Sequence, residues 1–232
     1  MKNVNSSFLL YIISGLIYII SALLRWDYIV FVSKPIIASS IMFYYWQEAK
    51  NINYWYFLFL FLYFWSGILN LFEDDQTLLY VLLLNMSAYT ILLSLVVKKM
   101  FGINFKDIDN INLLYIILTI IFLATLVYVC LVLVFNKESG LYFYLVAYAI
   151  ILTSLAIGGT ILYTLKHSNA IVYLLLATFC YLICDLFYIV YYYYYNLFFF
   201  RLLSILSSVV SYYFVVTYFL KESNDATVEN QI

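Results

Sequence analysis

Apolar positions along this chain fall into eight long runs, at residues 8–24, 28–46, 54–72, 78–97, 111–135, 141–165, 170–195 and 197–220. A helix needs about 20 apolar residues to cross the hydrocarbon core of a bilayer, and the runs are of that order. They lack the short in–out alternation of barrel strands. One Pro and 6 Gly barely interrupt them. Inside lipid a helix satisfies every backbone N–H and C=O within its own segment. The pattern therefore predicts an all-α polytopic membrane bundle of about eight transmembrane helices. It forms a single domain over residues 1–220, followed by a disordered polar tail at 221–232. Between the last two runs the one polar break is Asn196, and the five tyrosines at 191–195 suit a membrane interface. The longest internal loop, 98–110, leaves no room for a soluble domain.

Composition points the same way. The chain is 67% hydrophobic and 10% charged, whereas a soluble domain carries about 25% charged residues. There is too little polar surface to coat a water-soluble globule. The first run follows Lys2 but has no small-residue cleavage site before Arg25, so it is expected to be a retained helix rather than a signal peptide. A formal net charge of −1 argues against a nucleic-acid partner. Cys130, Cys180 and Cys184 all sit in apolar runs, and the single histidine, His167, lies in a loop. Neither a disulfide framework nor a metal site is indicated, and no cofactor is expected.

Lysine and arginine in short loops set the orientation. Lys2, Lys50, Lys98, Lys99, Lys106, Lys166 and Lys221 fall on the N-terminal side, against Arg25, Lys137 and Arg201 on the other. Both termini are thus expected in the cytoplasm. The abundance of Tyr, Phe, Ile, Asn and Lys over Ala and Gly suits an AT-rich bacterial genome, and hence the inner cell membrane.

Two ionisable residues do not fit a bland helix. Lys34 interrupts the second run and Asp185 the seventh. A charge at the bilayer centre costs on the order of 2.5–3.5 kcal/mol on insertion scales, so such groups persist where they pair, line a wet cavity, or work. In the expected orientation Lys34 lies ~9 Å and Asp185 ~15 Å below the same outer face, at about 1.5 Å per residue. Asn70, Arg201 and Asp74 fall in that outer half as well. Tyr181, Asp185, Tyr188 and Tyr192 share one face of the seventh helix. Two expectations follow: a polar cavity wall, or a structural Lys34–Asp185 salt bridge that locks the bundle. Pro35 directly after Lys34 frees a carbonyl one turn earlier and invites a kink. The segments Phe64–Phe72 and Phe179–Phe187 share four of nine residues and set Asn70 against Asp185, which suggests a parallel 4+4 pseudo-repeat.

Taken together, the eight runs, Lys34-Pro35 in the second helix and Cys184-Asp185 in the seventh resemble the YhhN-type lysoplasmalogenase family. The resemblance extends over about residues 8 to 220. It implies a Lys-Pro pair in the second helix, a Gly-Asp-type motif in the third and a Ser-Asp-type motif in the seventh. This chain departs by reading Leu69-Asn70 in the third helix. On the fourth it carries Asn85, Ser87 and Tyr89 instead of an evident His and Tyr pair. An amide cannot exchange a proton as a carboxylate does.

The implied activity is hydrolysis of the vinyl ether bond of a lysolipid, with membrane lipids as surroundings. It makes Asp185, Lys34 and Asn70 the candidate catalytic residues. Tyr181, Tyr188, Arg201, Asp74 and Tyr89 become candidate substrate contacts. The alternatives from the residues themselves are a lipid or small-molecule binding or transport protein, and a structural subunit.

Overall fold

The computed structural model describes residues 5–72, 75–101, 109–135, 140–166 and 168–229; the side chains of 75–76, 133–135, 193 and 225–229 are not described. Among the described residues the chain forms eight helices: α1 (Ser6–Leu24), α2 (Asp27–Glu48), α3 (Tyr54–Leu69), α4 (Asp75–Met100), α5 (Asn110–Phe135), α6 (Tyr142–Lys166), α7 (Asn169–Tyr193) and α8 (Phe198–Glu229). Seven are long and apolar enough to cross a membrane, the exception being α3 with 16 residues. The protein is a multi-pass membrane helical bundle.

Helix starts follow local chemistry. The side-chain oxygens of Asn5, Asn53 and Ser168 accept from the backbone N–H groups of Ser7, Trp55 and Ala170 at 3.0, 3.0 and 3.2 Å. Each satisfies a donor that the first helical turn leaves open. The turn from α1 into α2 takes only Arg25 and Trp26. Arg25 closes α1 in the left-handed conformation, φ 58°, its N–H bonded to the Ser21 carbonyl.

Neighbour packing runs α1–α2–α3–α4–α6–α7–α8 and back to α1, a closed ring of seven helices. The remaining helix, α5, lies outside against α6 and α7 and is the least buried of the long ones. Small residues bring the helices close where lipid offers no hydrophobic drive to associate. Buried Ser14, Ser21 and Ser33 bond back to carbonyls of their own helices at 3.1, 3.1 and 3.2 Å. They therefore need no outside partner. Helix α2 continues through Pro35.

At Gly158 a β-carbon would lie 2.9 Å from Val96 Cγ1, and Val96 is fully buried. Gly158→Val should therefore force α4 and α6 apart and destabilise the bundle by about 1–3 kcal/mol. Thermal unfolding in detergent would read this as a clear fall in Tm, and an unchanged Tm would rule out the close α4–α6 contact.

Two departures from the sequence pattern shape the bundle. Helix α3 stops at Leu69, with Asn70 as its cap, rather than running to residue 72. At about 1.5 Å per residue it is ~24 Å long against ~33 Å for its neighbour α2. The stretch 221–232, expected to be a disordered tail, is helical as far as Glu229. Its first residues are tied down: Glu222 pairs with Lys99 of α4 at 2.9 Å. The Asn51 N–H donates to Ser223 Oγ at 2.8 Å, and that hydroxyl donates to the Asn51 carbonyl at 3.0 Å. Polar composition signalled a free tail; partners distant in sequence hold it as helix.

Candidate functional site

Within the ring lies a cavity of about 850 Å³. Its lining starts at the loop face with Arg25, Asp27, Phe72 and Asn196 and descends between the helices to Tyr63, Tyr89 and Tyr212. The early stop of α3 makes this space, since the turn through Asn70, Leu71 and Phe72 forms part of the wall. Helix α5 closes the α6–α7 side with Leu126, Val127, Cys130 and Leu131.

Lys34 stands seven residues inside α2, ~10 Å from its start. Its Nζ donates to the Gly67 carbonyl at 2.5 Å and lies 5.8 Å from the centre of the Tyr18 ring. The cause is the end of α3. The last four carbonyls of a helix lack intrahelical donors and carry the negative end of its dipole. Ser66 O takes the Asn70 N–H at 3.0 Å; Gly67 O takes the ammonium. Glycine at 67 gives the lysine tip room, since a β-carbon there would come 3.3 Å from Lys34 Cε and push it by a few tenths of an ångström. Lys34 thus caps a helix that ends within the bundle, and two of its three N–H donors are left for other partners.

Asp185 stands eight residues before the end of α7, ~12 Å from that face. Tyr148 of α6 donates its hydroxyl to Asp185 Oδ2 at 2.5 Å. Next to Asp185, the Cys184 carbonyl accepts from Ser204 Oγ at 2.9 Å, which fixes α8 against α7. Both Lys34 and Asp185 keep some accessible surface deep in the bundle, and that surface belongs to the cavity.

The expected salt bridge between them does not form. The ion pair found among the described residues is Lys99–Glu222. Lys34 is engaged by a helix end and Asp185 by a phenol, so each is satisfied separately while both face one space. Among the described side chains no carboxylate lies within 4.0 Å of Lys34, Arg25 or Arg201. Arg201 lies over the Tyr191 ring, 5.8 Å from its centre.

Of the candidate site residues, Asn70, Arg201, Tyr188 and Tyr89 line the cavity. Tyr181 does not: it lies beneath the floor, packed on Tyr89 and Tyr63 with ring centres 4.8 and 5.5 Å apart. It sits one turn deeper than Asp185, where the cavity has already closed. Asp74 is outside the described residues. Asn70 and Asp185, aligned by the pseudo-repeat, are not equivalent in place, since one caps its helix and the other lies two turns inside.

Sequence reasoning missed Tyr148 and Gly67, and it noted Asn85 as a polar residue of the fourth run without making it a site residue. Asn85 of α4 lines the cavity and its Oδ1 is buried without a hydrogen-bond partner. A polar residue within the fourth apolar run was the available signal. Tyr148 had none, being one of 27 tyrosines.

The fold and site define a class: a polytopic helical membrane protein with a polar cavity open towards one face. Comparison with known protein families, with curated proteins and with solved structures finds no match.

Proposed function

We propose that this chain is a membrane-embedded hydrolase of single-chain ether lipids, cleaving the vinyl ether bond of a lysolipid within the cavity. The observation that carries this reading is the separate presentation of Asp185 and Lys34 to one cavity, neither neutralised by the other. A volume near 850 Å³ falls in the range of about 300–1,000 Å³ usual for small-molecule sites. Leu126, Leu131, Leu145 and Leu152 offer apolar wall to an alkenyl chain. The free donors of Lys34, with Arg25 and Arg201 nearer the mouth, suit a phosphate headgroup.

In this reaction the protonated carboxyl of Asp185 gives its proton to the β-carbon of the vinyl ether, leaving an oxocarbenium ion. The resulting carboxylate then takes a proton from the water that attacks the cation. The hemiacetal so formed collapses, its hydroxyl proton passing to the departing oxygen, to a fatty aldehyde and a glycerol hydroxyl. One carboxyl serves both steps because it becomes a base by acting as an acid. Asn70 need not titrate, and its amide suits holding the water. Tyr148 fixes Asp185 by donating to Oδ2, which leaves Oδ1 to carry the proton. The setting proposed is the inner cell membrane, with both termini cytoplasmic and substrate entering from the outer leaflet.

Incubating purified protein with a 1-alkenyl lysophospholipid should release fatty aldehyde and the glycerophospho-base in equal amounts. Absence of aldehyde across several alkenyl lysolipids would overturn the reading. A second reading, carriage of a lipid or small molecule without chemistry, is favoured by Asn70 standing where a second carboxylate is implied. Movement of unaltered lipid between the leaflets of proteoliposomes would support it.

A further inference from the structure

The cavity reaches only part of the way through the bundle. Tyr212, on its floor, lies fourteen residues into α8, ~21 Å from the helix start; Glu222, at the opposite end, lies ~36 Å from it. About 15 Å of packed protein therefore separates the floor from the other face. That plug is where the buried polar atoms without hydrogen-bond partners gather. Apart from Asn85 in the cavity wall, those found among the described residues are the hydroxyls of Tyr56, Tyr181 and Tyr218 and Oε2 of Glu222. The three tyrosines are 1%, 1% and 0% exposed. The Tyr181 and Tyr218 hydroxyls approach Ser211 and Glu222 without reaching hydrogen-bond geometry.

Neighbouring side chains connect this plug to Asp185. From Asp185 the contacts run through Tyr148 to Tyr89, ring centres 5.7 Å apart, and on to Tyr181 at 4.8 Å. Tyr56 lies within electrostatic reach of both Tyr181 and Tyr212. Its ring stands 4.4 Å from that of Tyr45. The Tyr45 hydroxyl accepts from Asn53 N–H at 2.9 Å in the α2–α3 connection and lies within electrostatic reach of Glu222. Glu222 is partly exposed, 28%, and pairs with Lys99.

Leaving a buried polar atom unpaired costs about 1–3 kcal/mol, so one orphan is an oddity and four in one plug form a pattern. Buried polar groups of this kind are the usual seats of bound water. Leu, Phe or Met at 56, 181 and 218 would fill the same plug without the cost.

We propose that Glu222, Tyr56 and Tyr181 form a hydrated proton path joining the face opposite the cavity to Asp185. A proton taken from bulk water at Glu222 moves inward as each hydroxyl or bridging water accepts one proton and releases another. The charge reaches Asp185 through Tyr148 with no net change in any intermediate group. Bundled ionisable and hydroxylated side chains serve as relays of this kind in membrane proteins. Asp185 is faced by Tyr148 from α6, Tyr89 from α4 and Cys130 from α5, and it neighbours Cys184 on its own helix. This path does not depend on the ether-lipid reading.

The test is proton flux into proteoliposomes loaded with a pH-sensitive dye, driven by a potassium diffusion potential set with valinomycin. Wild-type protein should conduct protons faster than protein-free vesicles. Tyr56→Phe with Tyr181→Phe should cut the flux at least about fivefold, because each substitution removes one hydroxyl from a series path. The rings remain and no hydrogen bond to protein is lost, so the double variant should keep its Tm. Tyr128→Phe, at an exposed position on α5, should conduct as wild type. Flux no greater than in protein-free vesicles would overturn the proposal. So would a folded double variant that conducts as fast as wild type.

Discussion

Asp185→Asn is expected to lower the rate of aldehyde release by about 10²–10⁴-fold, the usual worth of a positioned proton-transfer group. The substitution is nearly isosteric. The amide oxygen can still accept from the Tyr148 hydroxyl, which now donates to Asp185 Oδ2 at 2.5 Å. The fold should therefore survive, and Tm in detergent should move little. What disappears is a group able to give a proton to carbon and then take one from water. Parallel measurement of rate and Tm separates the chemical role from a packing role. A variant that loses activity only because it unfolds would contradict the assignment of Asp185.

Lys34→Met is expected to be the most destabilising single change near the cavity, by about 2–3 kcal/mol. The loss comes from α3 rather than from Asp185. Removing the ammonium leaves the Gly67 carbonyl without its donor, 2.5 Å away at present, and the negative end of α3 without its cation. For a chain of this size that corresponds to a fall in Tm of roughly 5–10 °C. A double-mutant cycle with Asp185→Leu isolates the expected difference. Since the two heads do not pair, their effects should add to within about 0.5 kcal/mol. A locked salt bridge would give strong coupling, with the double variant nearly as stable as wild type.

Much of the fold was legible because lipid permits few solutions. Each apolar run became a helix whose ends lie within three residues of the pattern, except the end of α8. Lys34 and Asp185 were conspicuous for the same reason, as charges where apolar residues are expected. Their partners were not legible. Lys34 binds a backbone carbonyl, which has no sequence signature and exists as a site only because α3 stops early. Asp185 binds a phenol at 148, one tyrosine among many, chosen by the packing of α6 beside α7. Pairing the two charges was the simplest electrostatic guess, and each instead found a local neutral partner. At the C-terminus, Glu222 and Ser223 looked like solvated tail residues; contacts with Lys99 and Asn51 made them part of α8.

The claim on which the functional proposals rest is a polar space inside the bundle, reached from the face of the α1–α2, α3–α4 and α7–α8 connections. Its most direct measurement uses Asn70→Cys in a background with Cys130, Cys180 and Cys184 replaced by alanine. The thiol is exposed to a membrane-impermeant methanethiosulfonate added on one side of oriented vesicles at a time. Modification from the cavity face alone, slowed by an alkenyl lysolipid, is the expected result. A thiol at position 70 that reacts from neither side would mean that the space is closed, and would contradict it.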